Sequence, residues 1–127
     1  MNRRSQPKSN YGAKRNAPKD DAFEDKDAFK IKALRVARCI RGLPKGKVSS
    51  YGAIARAAGW PGAARQVARV LRQVQGLPWY RVVGAGGAIK CSGEYAAEQR
   101  FRLEMEGVKF RGARVDMKGY EFKFKKR

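Results

Sequence analysis

The chain has 127 residues, with 30 Lys and Arg against 11 Asp and Glu and a formal net charge of +19. That length suits one domain of ordinary size, and the charge speaks of partners rather than fold, nucleic acid first, although a ribosomal or merely solubilised basic protein carries the same charge. With no histidine and only Cys39 and Cys91, there is no Cys-His or Ser-His nucleophile pair, no imidazole base and no four-ligand zinc site, and no metal or cofactor is expected.

Residues 1–19 hold six Lys or Arg and no acid among scattered Asn, Ser, Gly and Pro, the composition of a flexible basic arm. No apolar h-region follows these basic residues, so no secretory signal is read. Asp20 to Asp27 then reverses the sign with five acids, read as a solvated linker and the first turn of a helix, whose N-terminal end favours acids. The arm is set at residues 1–27, the folded domain at 28–122 and a basic tail at 123–127.

Ile31, Leu34, Ala37 and Ile40 recur at helical spacing between Phe29 and Arg41, with Lys32, Arg35 and Arg38 away from them. This predicts an amphipathic helix on a small core, with Cys39 a buried, inert thiol beside its stripe. Gly42, Pro44 and Gly46 end it. A serine before Tyr51 is placed to cap a short helix over Tyr51–Ala58, and Gly59-Trp60-Pro61-Gly62 is a tight turn, with Pro61 suited to helix entry.

The clearest periodicity lies between about Gly62 and Val74. Val67, Val70, Leu71 and Val74 stand at i, i+3, i+4 and i+7, and Arg65, Arg69 and Arg72 repeat on the opposite face. Helix, Gly-containing turn and helix make a helix-turn-helix layout, its second helix presenting an arginine stripe. An ordinary solvated basic face is the plainer reading; the overall charge favours nucleic acid. Gly84-Ala85-Gly86-Gly87 reads as a hairpin or wing, since no complete phosphate-loop pattern surrounds it. A last helix runs from roughly Glu94 to Glu106, stopped by Gly107. Val108 to Phe124 reads as extended pieces over the core. No long apolar run and no separate basic amphipathic helix point to a membrane.

Four segments carry a resemblance: Lys47-Val48-Ser49-Ser50-Tyr51-Gly52, Ala63-Ala64-Arg65-Gln66-Val67, Pro78-Trp79-Tyr80-Arg81-Val82-Val83 and Glu104-Met105-Glu106-Gly107-Val108. In this order, from about Phe29 to Gly107, they resemble the DNA-binding domain of the alkyltransferases that repair O6-alkylguanine. The third resembles their Pro-Cys-His-Arg-Val active-site motif, with Trp79 where the alkyl-accepting cysteine stands and Tyr80 where histidine is usual. Gly119-Tyr120-Glu121-Phe122 also resembles the alkyltransferase-like branch. The implied fold is mainly α with short β pieces, a single helix-turn-helix or winged-helix-like domain.

The resemblance implies a non-enzymatic sensor that binds duplex DNA through the minor groove, flips O6-alkylguanine into a pocket and bends the DNA. Arg65 would intercalate in place of the extruded nucleotide, and Tyr51 would rotate the 3′ phosphate. Ala63 and Ala64 would allow close approach, with Arg69 and Arg72 on phosphates. Trp79 becomes a flat apolar wall for the alkyl group, and Tyr80 part of the pocket floor. Cys91 and Ser92, matched to the family's lid loop, would lie beside the guanine. Arg81 would tie the loop to its neighbours, with Glu106 a structural acceptor. Hand-over to nucleotide excision repair proteins is implied, by a monomer acting at the nucleoid in a bacterium or in the nucleus of a eukaryote. Two other readings stay open: a sequence-specific winged-helix regulator, and an alkyltransferase using Cys91, which lacks a neighbour to lower its pKa.

Overall fold

The structure, a computed structural model, describes residues 19–125. The chain divides between Ile31 and Lys32 into two units, and the core and cleft belong to the second. The basic arm expected over residues 1–19 lies, except for Lys19, outside the described residues.

Helix α1 is Lys19–Arg41. It takes in the whole acidic run expected to be a solvated linker and the first turn of a helix, so the expected border at residues 27 and 28 falls inside a helix. The expected apolar stripe is also rotated: Ile31 and Leu34 are exposed, while Val36, Ala37 and Ile40 are buried, with Ala33 packed against the core. Steps of three residues slip by roughly 60° each around a helix of 3.6 residues per turn, so Ile31, Leu34, Ala37 and Ile40 cannot share a face. Ala33, Val36, Ala37 and Ile40 can. Cys39 is part-buried on that core, and burial pushes its thiol pKa up.

Strand β1 (Ser49–Ser50) leads directly into α2 (Tyr51–Ala57), whose N-cap Ser50 accepts from the Ala53 amide at 3.1 Å. After the Gly59–Gly62 turn, α3 (Ala64–Gln73) buries Val67 and Val70 and half-buries Leu71 and Val74. The core of α1, α2 and α3 is closed by Leu77 and Val82. Strand β2 (Val82–Val83) pairs parallel with β1, Ser49 opposite Val82 and Ser50 opposite Val83. That register places the 3₁₀ turn Trp79–Arg81 next to the start of α2.

The Gly84–Gly87 segment is a closed turn rather than a strand hairpin: the Gly84 amide donates to Ala88 O at 2.7 Å, and Ala88 forms one isolated bridge to Arg114. Gly87 has φ +89, and a Cβ there would strike the Val115 backbone, so both conformation and close approach demand glycine. The hairpin lies further on, between β3 (Phe110–Arg111) and β4 (Arg114–Val115). It is tied to α4 (Glu94–Met105) by Arg100, whose guanidinium covers the Phe110 ring at 4.2 Å and donates to Gly112 O at 2.9 Å.

Val48, Val83, Leu103, Val108 and Val115 form a second core cluster, joined by Tyr80, Phe110, Met117 and Tyr120. The stretch expected to be wholly extended includes a short helix, α5 (Met117–Tyr120), after which Phe122 N donates to Val48 O at 2.7 Å. Phe122 and Phe124 meet edge-to-face at 5.0 Å and pack on the first cluster. Residue 124, assigned to the basic tail, is therefore core-covering; Lys126 and Arg127 lie outside the described residues.

Candidate nucleic-acid interface

An open cleft of about 1380 Å³ lies between α2, α3, the Trp79 turn and the start of α4. The sequence brings these elements together through two short connections. The β1–β2 register joins Tyr51 to the Trp79 turn, and the Gly59–Gly62 turn swings α3 against α2. Tyr51, Ala64, Arg65, Arg72, Trp79 and Cys91 all line the cleft. Its other charged walls are Arg56, Lys90 and Glu121, so four cations face one acid. Helix α3 begins with neither a side-chain cap nor an acid in its first turn, which leaves its positive end uncompensated.

Trp79 presents its indole to the cleft, steadied edge-to-face by Tyr80 at 5.9 Å and by Tyr95 at 6.2 Å. Tyr51 is half-buried, packs on the first core cluster and has its hydroxyl pKa raised, by burial first and then by the neighbouring Cys91. Cys91 Sγ donates to Gln99 Oε1 at 3.0 Å, and burial pushes its thiol pKa up. That shift disfavours the nucleophilic thiolate.

Four residues expected in the pocket or on DNA do not line the cleft. Tyr80 turns away from the cleft: successive side chains of a 3₁₀ turn project about 120° apart, and with Trp79 in the cleft Tyr80 joins the second core cluster. Its ring lies under the guanidiniums of Arg81 at 5.2 Å and Arg102 at 5.3 Å. Ala63 is 4% exposed and belongs to the core, because as N-cap of α3 it points inward; Ala64 alone of the pair reaches the cleft. Ser92 is exposed, just past Cys91 and outside the cleft lining, and Arg69 is exposed on α3 outside it too.

Behind the turn, Arg81 holds Glu106 through Nε–Oε1 at 3.1 Å and Nη2–Oε2 at 2.6 Å, and donates from Nη1 to Leu43 O at 2.9 Å. Glu106 Oε1 also accepts from the Gly46 amide at 2.9 Å. Burial alone would raise the Glu106 pKa; the Arg81 hydrogen bond, the Gly46 amide and the Arg81 charge, with Tyr80, bring it below the usual carboxylate value. Among the described residues no cluster of three or more His, Cys, Asp or Glu could hold a metal ion, and no helix is long and apolar enough to cross a membrane.

Sequence reasoning missed Tyr95, Lys90 and Gln99. Tyr95 and Gln99 had a legible signal: with Leu103 they stand at i, i+4 and i+8 on α4, where Gln99 and Leu103 are buried and Tyr95 is exposed at the cleft. Lys90 had none, since its stem crosses Gly84 only once the turn has closed.

Comparison with known proteins agrees with this layout. Residues 32–108 match the family described as 6-O-methylguanine DNA methyltransferase, DNA binding domain. A DNA base-flipping protein of Escherichia coli is 36% identical over 111 residues, 84% of each chain. The structure of Atl1 from Schizosaccharomyces pombe, in complex with damaged DNA containing O6-carboxymethylguanine, superposes with a TM-score of 0.64 at 31% identity, covering 77% of this chain and 97% of that one. The Mycobacterium tuberculosis OGT in complex with DNA gives a TM-score of 0.53 at 25% identity, covering 76% and 71%. The chain belongs to the 6-O-methylguanine DNA methyltransferase DNA-binding-domain family, in its alkyltransferase-like branch.

Proposed function

We propose that this chain is a non-enzymatic sensor of O6-alkylguanine in duplex DNA, and that it passes the bound lesion to nucleotide excision repair. The observation that carries the reading is the indole of Trp79 in a cleft walled by Tyr51 and Arg65. An indole has no lone pair with which to attack an alkyl carbon; it offers a flat apolar face for an alkyl group and a flipped base. Arg65, at the first turn of α3, fills the stack left by the extruded guanine, and the cationic walls hold the distorted backbone. The name of the Escherichia coli relative and the damaged DNA bound by the Schizosaccharomyces pombe protein support this reading.

Paired titrations of one duplex, with guanine or O6-methylguanine at a single position and at two salt concentrations, test it. Tighter binding of the lesion at both salts is expected. Equal affinity for the two duplexes would overturn the reading.

One observation favours a second reading: the Cys91 thiol lines the same cleft as Trp79. Incubation with duplex carrying labelled O6-methylguanine decides between them, because stoichiometric transfer of label to the protein would make Cys91 an alkyl acceptor. Its raised pKa speaks against that.

A further inference from the structure

Only two polar side chains among the described residues are fully buried, Ser49 and Gln99. Gln99 lies at mid-α4, 2% exposed, and its amide is almost fully engaged. Nε2 donates to Tyr80 O at 3.1 Å and to Val82 O at 2.8 Å, and Oε1 accepts from Cys91 Sγ at 3.0 Å. The two carbonyls fix which end of the amide is nitrogen, since an oxygen there would face two acceptors.

These partners come from two separate segments that both contribute to the cleft. Tyr80 and Val82 flank Arg81 at the end of the turn that carries Trp79, and Cys91 belongs to the loop before α4. Glu106, seven residues after Gln99, falls within roughly 20° of it around the helix axis, and grips Arg81. One face of α4 thus braces the Trp79 turn twice, through the Arg81 side chain and through the backbone carbonyls on either side of it. Arg81 anchors the turn to the core. Gln99 alone also reaches the Cys91 loop.

We propose that Gln99 is the positioning residue of the lesion pocket, holding the Trp79 wall and the Cys91 loop at one separation; this rests on the sensor reading above. Glutamine is the residue the geometry asks for. Glutamate would set an oxygen against two carbonyls, methionine would leave both carbonyls unpaired, and asparagine is one methylene too short to keep all three bonds.

The test uses Gln99→Glu and Gln99→Met, checked for folding by circular dichroism. The preference for O6-methylguanine over guanine duplex is expected to fall about ten-fold, the order associated with losing a buried hydrogen bond. Affinity for undamaged duplex should stay within about two-fold, because the hydrogen bonds of Gln99 run to Tyr80, Val82 and Cys91, none of them on α3. An unchanged preference, or equal loss on both duplexes, would overturn the proposal. Acrylamide quenching of Trp79 in a Trp60→Phe background gives a DNA-free readout. Quenching should rise in Gln99→Met, and unchanged quenching also overturns the proposal. A wild-type protein with no lesion preference would defeat the sensor reading instead, and quenching would still decide the role of Gln99.

Discussion

Arg81 and Glu106 meet as a two-bond fork, 3.1 Å at Nε–Oε1 and 2.6 Å at Nη2–Oε2, with side chains only 15% and 9% exposed. A planar guanidinium on a carboxylate is the geometry in which an ion pair holds orientation as well as charge. Here it fixes the base of the turn that presents Trp79. Breaking one side leaves the other charge uncompensated, so Glu106→Gln should cost about 3 kcal/mol, near the lower end of the range for a buried pair.

That deficit should depend on pH. The Glu106 pKa is lowered in the folded chain. Its contribution is therefore complete above the ordinary carboxylate pKa of the unfolded state and lost as pH falls through the folded value. The wild type loses this bond in acid and Glu106→Gln has none to lose. The gap between their urea midpoints should be widest at neutral pH and narrow below the ordinary carboxylate range. A gap that stays constant into acid would show that Glu106 is not acting as a charged partner.

The arginines of α3 should separate into two kinds. Arg65 lines the cleft and Arg69 does not. Arg69→Ala should weaken lesion and undamaged duplex equally and lower the salt slope by about one. Arg65→Ala should remove lesion binding well beyond that, because the proposed sensor needs Arg65 to fill the stack vacated by the flipped base. Filter-binding titrations across a salt series distinguish them; indistinguishable variants would place both on phosphates.

Tyr95 is 67% exposed, and its ring meets that of Trp79 edge-to-face. So exposed a ring contributes little to folding, and Tyr95→Ala should shift stability by no more than about 0.5 kcal/mol. It should weaken lesion binding by about 1–3 kcal/mol, the range for losing one stacking ring. A normal lesion affinity in Tyr95→Ala would remove this residue from the pocket.

How far the sequence reached was set by the length over which each feature repeats. The α3 stripe was legible because Val67, Val70, Leu71 and Val74 hold one face over two turns, and Gly107 marks the end of α4 as a left-handed residue should. Strands of two residues cannot display alternation, so β3 and β4 read only as extended pieces, and the glycine-rich turn reads as a hairpin or wing. Tyr80 was misplaced because the direction of a side chain in a 3₁₀ turn depends on the turn, which the motif does not spell out. The role of Gln99 needs carbonyls 17 and 19 residues away, contacts that exist only after folding.

Trp79 is the sharpest test of what the cleft does. Trp79→Ala should reduce discrimination between alkylated and normal guanine more than it reduces binding of undamaged duplex, since the cationic walls remain. Equal loss on both would reduce the indole to a structural support. Trp79→Cys should not create an alkyltransferase. A thiol reacts as its thiolate, and few thiols are ionised at neutral pH without a neighbour to take the proton. The chain has no histidine, the Tyr80 ring is turned into the second core cluster, and the Glu106 carboxylate is occupied by Arg81 and the Gly46 amide. Labelled O6-methylguanine duplex incubated with Trp79→Cys should therefore keep its label on DNA. Stoichiometric transfer to the variant would show that the cleft still activates a thiol, and that the tryptophan alone had silenced it.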